Sequence, residues 1–134
     1  MLERLQRLEE NVVQLRRFRE TYSEEDVRRD RHLEWALRYG LLEAIQIVID
    51  VSCYLVSRDN LGVPSSYRDC IELLWRAGYI SDSLAEVLLG MVGLRNILVH
   101  EYIRVDVRRL YGLLDKLDDF KTFAREISFY LKER

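Results

Sequence analysis

Apolar residues in this chain recur at intervals of three and four, and over no useful length at intervals of two. That periodicity predicts helices and no strands. Leu2, Leu5, Leu8, Val12, Val13 and Leu15 form one such stripe, which predicts a first helix from about Leu2 to Arg19. Thr21-Tyr22-Ser23 breaks the pattern. Ser23 followed by Glu24, Glu25 and Asp26 is an N-cap with an acidic first turn. A second helix is predicted from Glu24 to about Ser57, roughly 50 Å long if unbroken. Its first half is amphipathic through Val27, Leu33, Trp35 and Leu37. Its second half, Leu41 to Val56, is apolar almost all round and must be covered by other helices or by a partner subunit. Asp50 sits in that half. A buried carboxylate needs a donor, so Asp50 either pairs with a structural group or faces a site.

Arg58 to Ser66 reads as a loop. Ser66 with Asp69 three residues on resembles a capping box, and a third helix follows from Tyr67 to about Ala77, closed by Gly78. Ser81 with Asp82 starts a fourth helix carrying Leu84, Val87, Leu88, Met91 and Leu94. Asp106 caps a fifth, reaching Lys132 along Val107, Leu110, Leu114, Leu117, Phe120, Phe123, Ile127 and Leu131. The expected fold is all-α: a five-helix antiparallel bundle forming a single domain over residues 1–134.

Composition narrows the class. With 49% hydrophobic and 33% charged residues, the chain reads as a globular protein. A net charge of −2 supplies no global basic field for nucleic acid, so any basic surface must be local. Lys116, Lys121 and Lys132 are the only lysines, so the cations are mostly arginine, which suits ion-pair networks and phosphate contacts alike. Cys53 and Cys70, flanked by apolar neighbours, look like reduced core residues, which fits the cytoplasm. The amino-terminal stretch has no apolar signal core, and the longest apolar run is interrupted by Asp50. No membrane span is expected.

The chemistry concentrates in Arg95-Asn96-Ile97-Leu98-Val99-His100-Glu101-Tyr102. Here an apolar trio that wants burial is mixed with polar groups that are expensive to bury unpaired. On a helix, Arg95 and Tyr102 share a face, and Asn96 and His100 a neighbouring stripe. Arg95 and His100 are five apart and point away from each other. They can cooperate only if the helix breaks between them or if a second copy of the chain supplies one of them. His32, among Arg29, Asp30 and Arg31, reads as solvent-facing. Two histidines are too few for a histidine-rich metal site, and no Cys/His cluster has zinc spacing. There is no glycine-rich phosphate loop and no nucleophile elbow. A lone histidine in a bundle is commonly structural, but histidine beside arginine is also a minimal kit for cutting RNA. The histidine moves a proton and the arginine steadies phosphoryl charge.

Arg95-x4-His100-x-Tyr102 resembles the R-x4-H-x-Y motif of the HEPN superfamily, and of its HepT toxins in particular. The likeness extends through "YGLLEAIQIVIDVSCYL", "GVPSSYRDCIELLWRAGYIS" and "MVGLRNILVHEYIRVD", from about Arg38 to the last helix. The resemblance implies a toxin that cuts RNA without metal or cofactor, as a homodimer with its motif near the two-fold axis. It places catalysis on Arg95 and His100, with Asn96 orienting His100. It implies a partner too: a minimal nucleotidyltransferase antitoxin that transfers AMP to Tyr102. Added bulk and negative charge there should block the groove and repel RNA phosphate. Two alternatives stay open. One is a non-catalytic helical module that only docks a nucleotidyltransferase. The other is a structural dimer in which Arg95, Asn96 and His100 form a core network.

Overall fold

The computed structural model of the protein describes residues 1–100 and 105–132. Among these, seven α-helices follow one another: α1 (Leu2–Thr21), α2 (Glu24–Arg29), α3 (Arg31–Arg58), α4 (Tyr67–Arg76), α5 (Asp82–Val99), α6 (Val107–Gly112) and α7 (Asp118–Lys132). A 3-10 turn over Leu113–Lys116 joins the last two, and the described residues contain no strand. The all-α expectation holds.

Two of the five predicted helices are interrupted. The long second one breaks at Asp30, which ends α2 with extended backbone and caps α3, its side chain accepting the His32 amide. A short acidic side chain that bonds its own backbone two residues on favours such a break over a continuing helix. The fifth breaks where Gly112 leads into the 3-10 turn. The local caps fall where the sequence puts them. Ser23 and Asp26 form a full capping box. Ser66 receives the Asp69 amide, but Asp69 reaches back to the backbone and hydroxyl of Ser65 at 2.9 and 2.6 Å. Those Ser65 bonds hold the Asp69 carboxyl below its ordinary range. At the far end of α4, Gly78 adopts a left-handed φ of 79°, and the Tyr79 amide bonds back to Leu74.

α3 is the centre of the bundle and packs against every other helix. Its buried residues include Leu37, Leu41, Ala44, Ile45, Val48, Ile49, Val51, Leu55 and Val56. The apolar second half is therefore covered by the chain's own helices, and the need for a partner subunit to cover it falls away. By length and composition α3 could cross a bilayer, with an 18-residue window of mean hydropathy 1.6, so the expected lack of such a run needs correction. What the bundle does with that run is bury it as core. Ser52, the buried polar residue on this helix, donates to the Val48 carbonyl at 2.7 Å. Trp35 departs from expectation. It is 52% exposed, outside the stripe that Val27 and Leu37 follow into the core.

The cysteines also depart from expectation. Cys53 on α3 and Cys70 on α4 are joined in a disulfide, with Cα atoms 5.1 Å apart. The two helices pack side by side, and the facing positions that bury Cys70 bring the sulfurs together. The reading of reduced core thiols is overturned, and with it the argument from the cysteines to a reducing compartment.

Candidate functional site

The site grows from the carboxyl end of α5. Leu88, Met91, Val92 and Leu98 anchor this helix in the core. That leaves Arg95 half-buried and Asn96 and His100 exposed along one side of its last turns. α5 runs helically through Val99. His100 is its C-cap and leaves the helix with φ −85° and ψ 95°. That ψ turns only the chain beyond His100; with φ close to its helical value, the side chain still leaves the backbone much as a helical residue's does, pointing away from Arg95. The break falls at the histidine itself and not between the two residues. Tyr102 lies outside the described residues.

The way Arg95 is held is the informative feature. Its Nε donates to the Gln46 side-chain oxygen at 3.0 Å, and its Nη1 to the Asn96 oxygen at 3.2 Å. Its guanidinium carbon lies 5.2 Å from the centre of the Tyr67 ring. Both acceptors are neutral amides, and among the described residues no carboxylate pairs with it. A half-buried arginine held without a counter-charge keeps its full attraction for an anion. Asn96, expected beside His100, thus spends its oxygen on Arg95.

A second arginine of the neighbourhood closes the helix end. Arg38 on α3 donates to the carbonyls of Leu98, Ile97 and His100, at 3.3, 3.4 and 3.3 Å. Those are orphan acceptors at a helix terminus, where a cation is also favoured by the dipole. Arg38 thereby fixes the backbone from which His100 departs. The question posed by Asp50 is answered as well. One of its oxygens takes Arg4 at 2.5 Å and the other the Gln46 amide nitrogen at 2.9 Å. It serves structure and site at once.

Beside Arg95 and Asn96 opens a groove lined by Ser65, Ser66, Tyr67 and Arg68, with Cys53, Cys70 and Val92 beneath. Its arginines supply the local basic surface that the net charge does not. A second cleft, between α1 and α7, has an apolar lining of Leu2, Val13 and Phe120, edged by Arg16, Lys121, Arg125 and Lys132, and holds no histidine. His32 is exposed, as expected, its ring against Trp35. Among the described residues no group of three or more His, Cys, Asp or Glu could hold a metal ion. Sequence reasoning passed over Arg38, Gln46 and Tyr67. Gln46 had a signal: it is an amide inside an apolar run, one turn before Asp50, a spacing at which glutamine and aspartate bond.

A helical bundle that presents, at the end of one helix, an arginine with no carboxylate partner among the described residues and an exposed histidine belongs to the all-α class. The family described as Ribonuclease HepT-like matches residues 8–127, and the chain belongs to it. It is 29% identical over 111 residues to the mRNA nuclease HepT of Shewanella oneidensis, covering 81% of this chain and 84% of that one. A putative RNase of Archaeoglobus fulgidus is 43% identical over 68 residues, 51% of each chain. Among solved structures, the tri-AMPylated Shewanella oneidensis HEPN toxin in complex with an MNT antitoxin superposes with a TM-score of 0.85 at 25% identity, over 95% of both chains. The HEPN-like fold inferred from the motif is thereby established.

Proposed function

We propose that the chain is the toxin of a type VII-like toxin–antitoxin pair, an endoribonuclease that needs no metal. The observation that carries this reading is Arg95, held by two neutral amides and a ring on the helix that ends at the exposed His100. His100 takes the proton from a ribose 2′-hydroxyl. The resulting oxyanion attacks the adjacent phosphorus, and the 5′-oxygen leaves with a proton from a second group. The products are a 2′,3′-cyclic phosphate and a 5′-hydroxyl. Arg95 meets the charge that builds on the phosphoryl oxygens. Each motif carries one histidine, so acid and base are the His100 residues of two copies in a homodimer. Trp35 and Tyr39, 52% and 64% exposed on either side of Arg38, and Val99 at the end of α5 offer apolar surface for that pairing next to the motif.

The relative with a solved complex is AMPylated and bound to an MNT antitoxin. By that likeness, and by the R-x4-H-x-Y spacing, a nucleotidyltransferase partner adds AMP to Tyr102 and silences cleavage in the cytoplasm. Expressing this chain alone should arrest growth, His100→Ala should relieve the arrest, and the purified wild type should cut RNA in EDTA. Cleavage that persists in His100→Ala, or that EDTA abolishes, would refute the assignment. The second reading, a docking module without nuclease activity, gains if the wild type binds the nucleotidyltransferase but cuts nothing.

A further inference from the structure

We propose that Gln46 is a positioning residue for Arg95, and that Asp50 dictates which way its amide points. The inference rests on the nuclease reading only for what the positioned charge is used for. A glutamine amide has two nearly isosteric ends, a carbonyl that accepts and an NH2 that donates. Left alone, it can present either end to a neighbour. Here the Asp50 carboxylate, bound on its other oxygen by Arg4, sits one turn further along α3 and takes the NH2 end at 2.9 Å. The carbonyl end is thereby turned to the Nε–H of Arg95 at 3.0 Å. A flipped amide would set its oxygen against the carboxylate and its NH2 against the guanidinium, losing both bonds and adding two repulsions.

Arg4 on α1 closes the chain by binding the other Asp50 oxygen at 2.5 Å. An order runs through it: cation, carboxylate, neutral amide, cation. The amide between Asp50 and Arg95 is what lets a carboxylate steer the arginine without neutralising it. A carboxylate in place of the amide would fix the guanidinium equally well but cancel its charge. That difference makes the role testable.

The first arm does not depend on cleavage. In 15N-arginine-labelled protein, the Arg95 Nε–H signal, identified by its loss in Arg95→Lys, should exchange slowly with solvent. Gln46→Leu and Asp50→Asn should each speed that exchange, Gln46→Leu by roughly tenfold or more, because a hydrogen bond to a charged group is lost or freed to flip. The second arm uses RNA. Gln46→Glu should cut more slowly than wild type near neutral pH. Its rate relative to wild type should recover severalfold as the solution is acidified to about pH 5.5, because a protonated carboxyl mimics the amide. The neighbouring Asp50 charge raises the proton affinity of the new carboxyl. Taking the ratio to wild type at each pH removes the pH dependence that the two proteins share.

Unchanged Nε–H exchange in Gln46→Leu, in protein with wild-type circular dichroism, would overturn the proposal. A Gln46→Glu ratio that stays flat with pH would also overturn it. If the wild type cuts no RNA, the nuclease reading falls, and the exchange arm still decides whether Gln46 positions Arg95.

Discussion

Arg58 and Arg95 are both partly buried arginines that touch tyrosine rings, and the protein uses them in opposite ways. Arg58 grips Asp59 with two nitrogens, at 2.7 and 3.0 Å, and donates to the Tyr130 carbonyl at 3.0 Å. Asp59 also takes the Tyr79 hydroxyl at 2.7 Å. Burial, and then that carboxylate, raise the Tyr79 phenol above its ordinary pKa. The rings of Tyr79 and Tyr130 stack 3.8 Å apart. The cluster ties the ends of α3, α4 and α7 together. Arg95 has two amide oxygens and a ring, with no carboxylate among the described residues. What a guanidinium is bonded to therefore separates structural cations from functional ones more sharply than burial does. Arg58 is already neutralised, and Arg95 is oriented but left charged.

The largest test of that contrast is a double dissociation. Arg95→Ala should lower RNA cleavage by roughly two to three decades, and His100→Ala by about two to four. Neither should move the melting temperature by more than about two degrees. Arg95→Lys should not restore the rate, because an ammonium cannot occupy a fork held at two nitrogens. If Arg95→Ala melts far below wild type, the arginine is a structural residue and the comparison collapses.

Second in size is the reverse case. The Asp59 side chain is only 7% exposed and that of Arg58 18%, so removing one partner strands the other. Asp59→Ala should cost about 2–4 kcal/mol of stability. Cleavage per folded molecule, measured well below the melting point, should stay at the wild-type level. Calorimetry with a titrated active fraction checks both halves, and a specific loss of activity would place Asp59 in the machinery.

The fold was legible in the sequence where the signals are local. Ser23, Ser66 and Ser81 cap their helices because a side-chain oxygen needs only an amide two or three residues on. The breaks at Asp30 and beyond Gly112 were missed because the apolar stripe continues through both, and periodicity reports faces and not axes. At the candidate site, Arg95, Asn96 and His100 were singled out through their spacing and through the motif they resemble. Arg38 and Gln46 were not, since each acquires its meaning from α5, some 50 to 60 residues away in the chain. The disulfide is of the same kind. Nothing within either helix's own sequence reveals that Cys53 and Cys70 face each other.

That disulfide gives the third test. It lies beneath the groove and closes a separation of 17 residues. On the chain-entropy account such a link contributes about 3 kcal/mol. Reduction, or Cys53→Ser with Cys70→Ser, should lower stability by about that amount while leaving the relative rates of the Arg95 and Asp59 variants unchanged. An effect on cleavage larger than the effect on folding would show that the link also shapes the groove.

The smallest effect comes from the α1–α3 seam. Arg7 donates to Glu43 at 2.8 Å, and that hydrogen bond holds the Glu43 carboxyl below its ordinary pKa. A carboxyl whose folded pKa is depressed stabilises the fold above its unfolded value. That contribution is lost as the pH falls through the folded one. The window therefore lies at and below the usual glutamate range, and near neutrality the contribution is complete. The Arg7 side chain is 61% exposed, so solvent and salt screen the pair and the gain is small. Glu43→Gln should lower the melting temperature by about one or two degrees at neutral pH. The gap to wild type should close as the pH drops toward the bottom of the carboxylate range, and added salt should narrow it. Cleavage should not change, because this arginine, like Arg58, already has its counter-charge. A gap that persists in acid would mean that Glu43 contributes through packing, and the contrast between paired and unpaired arginines would then rest on Arg58 and Arg95 alone.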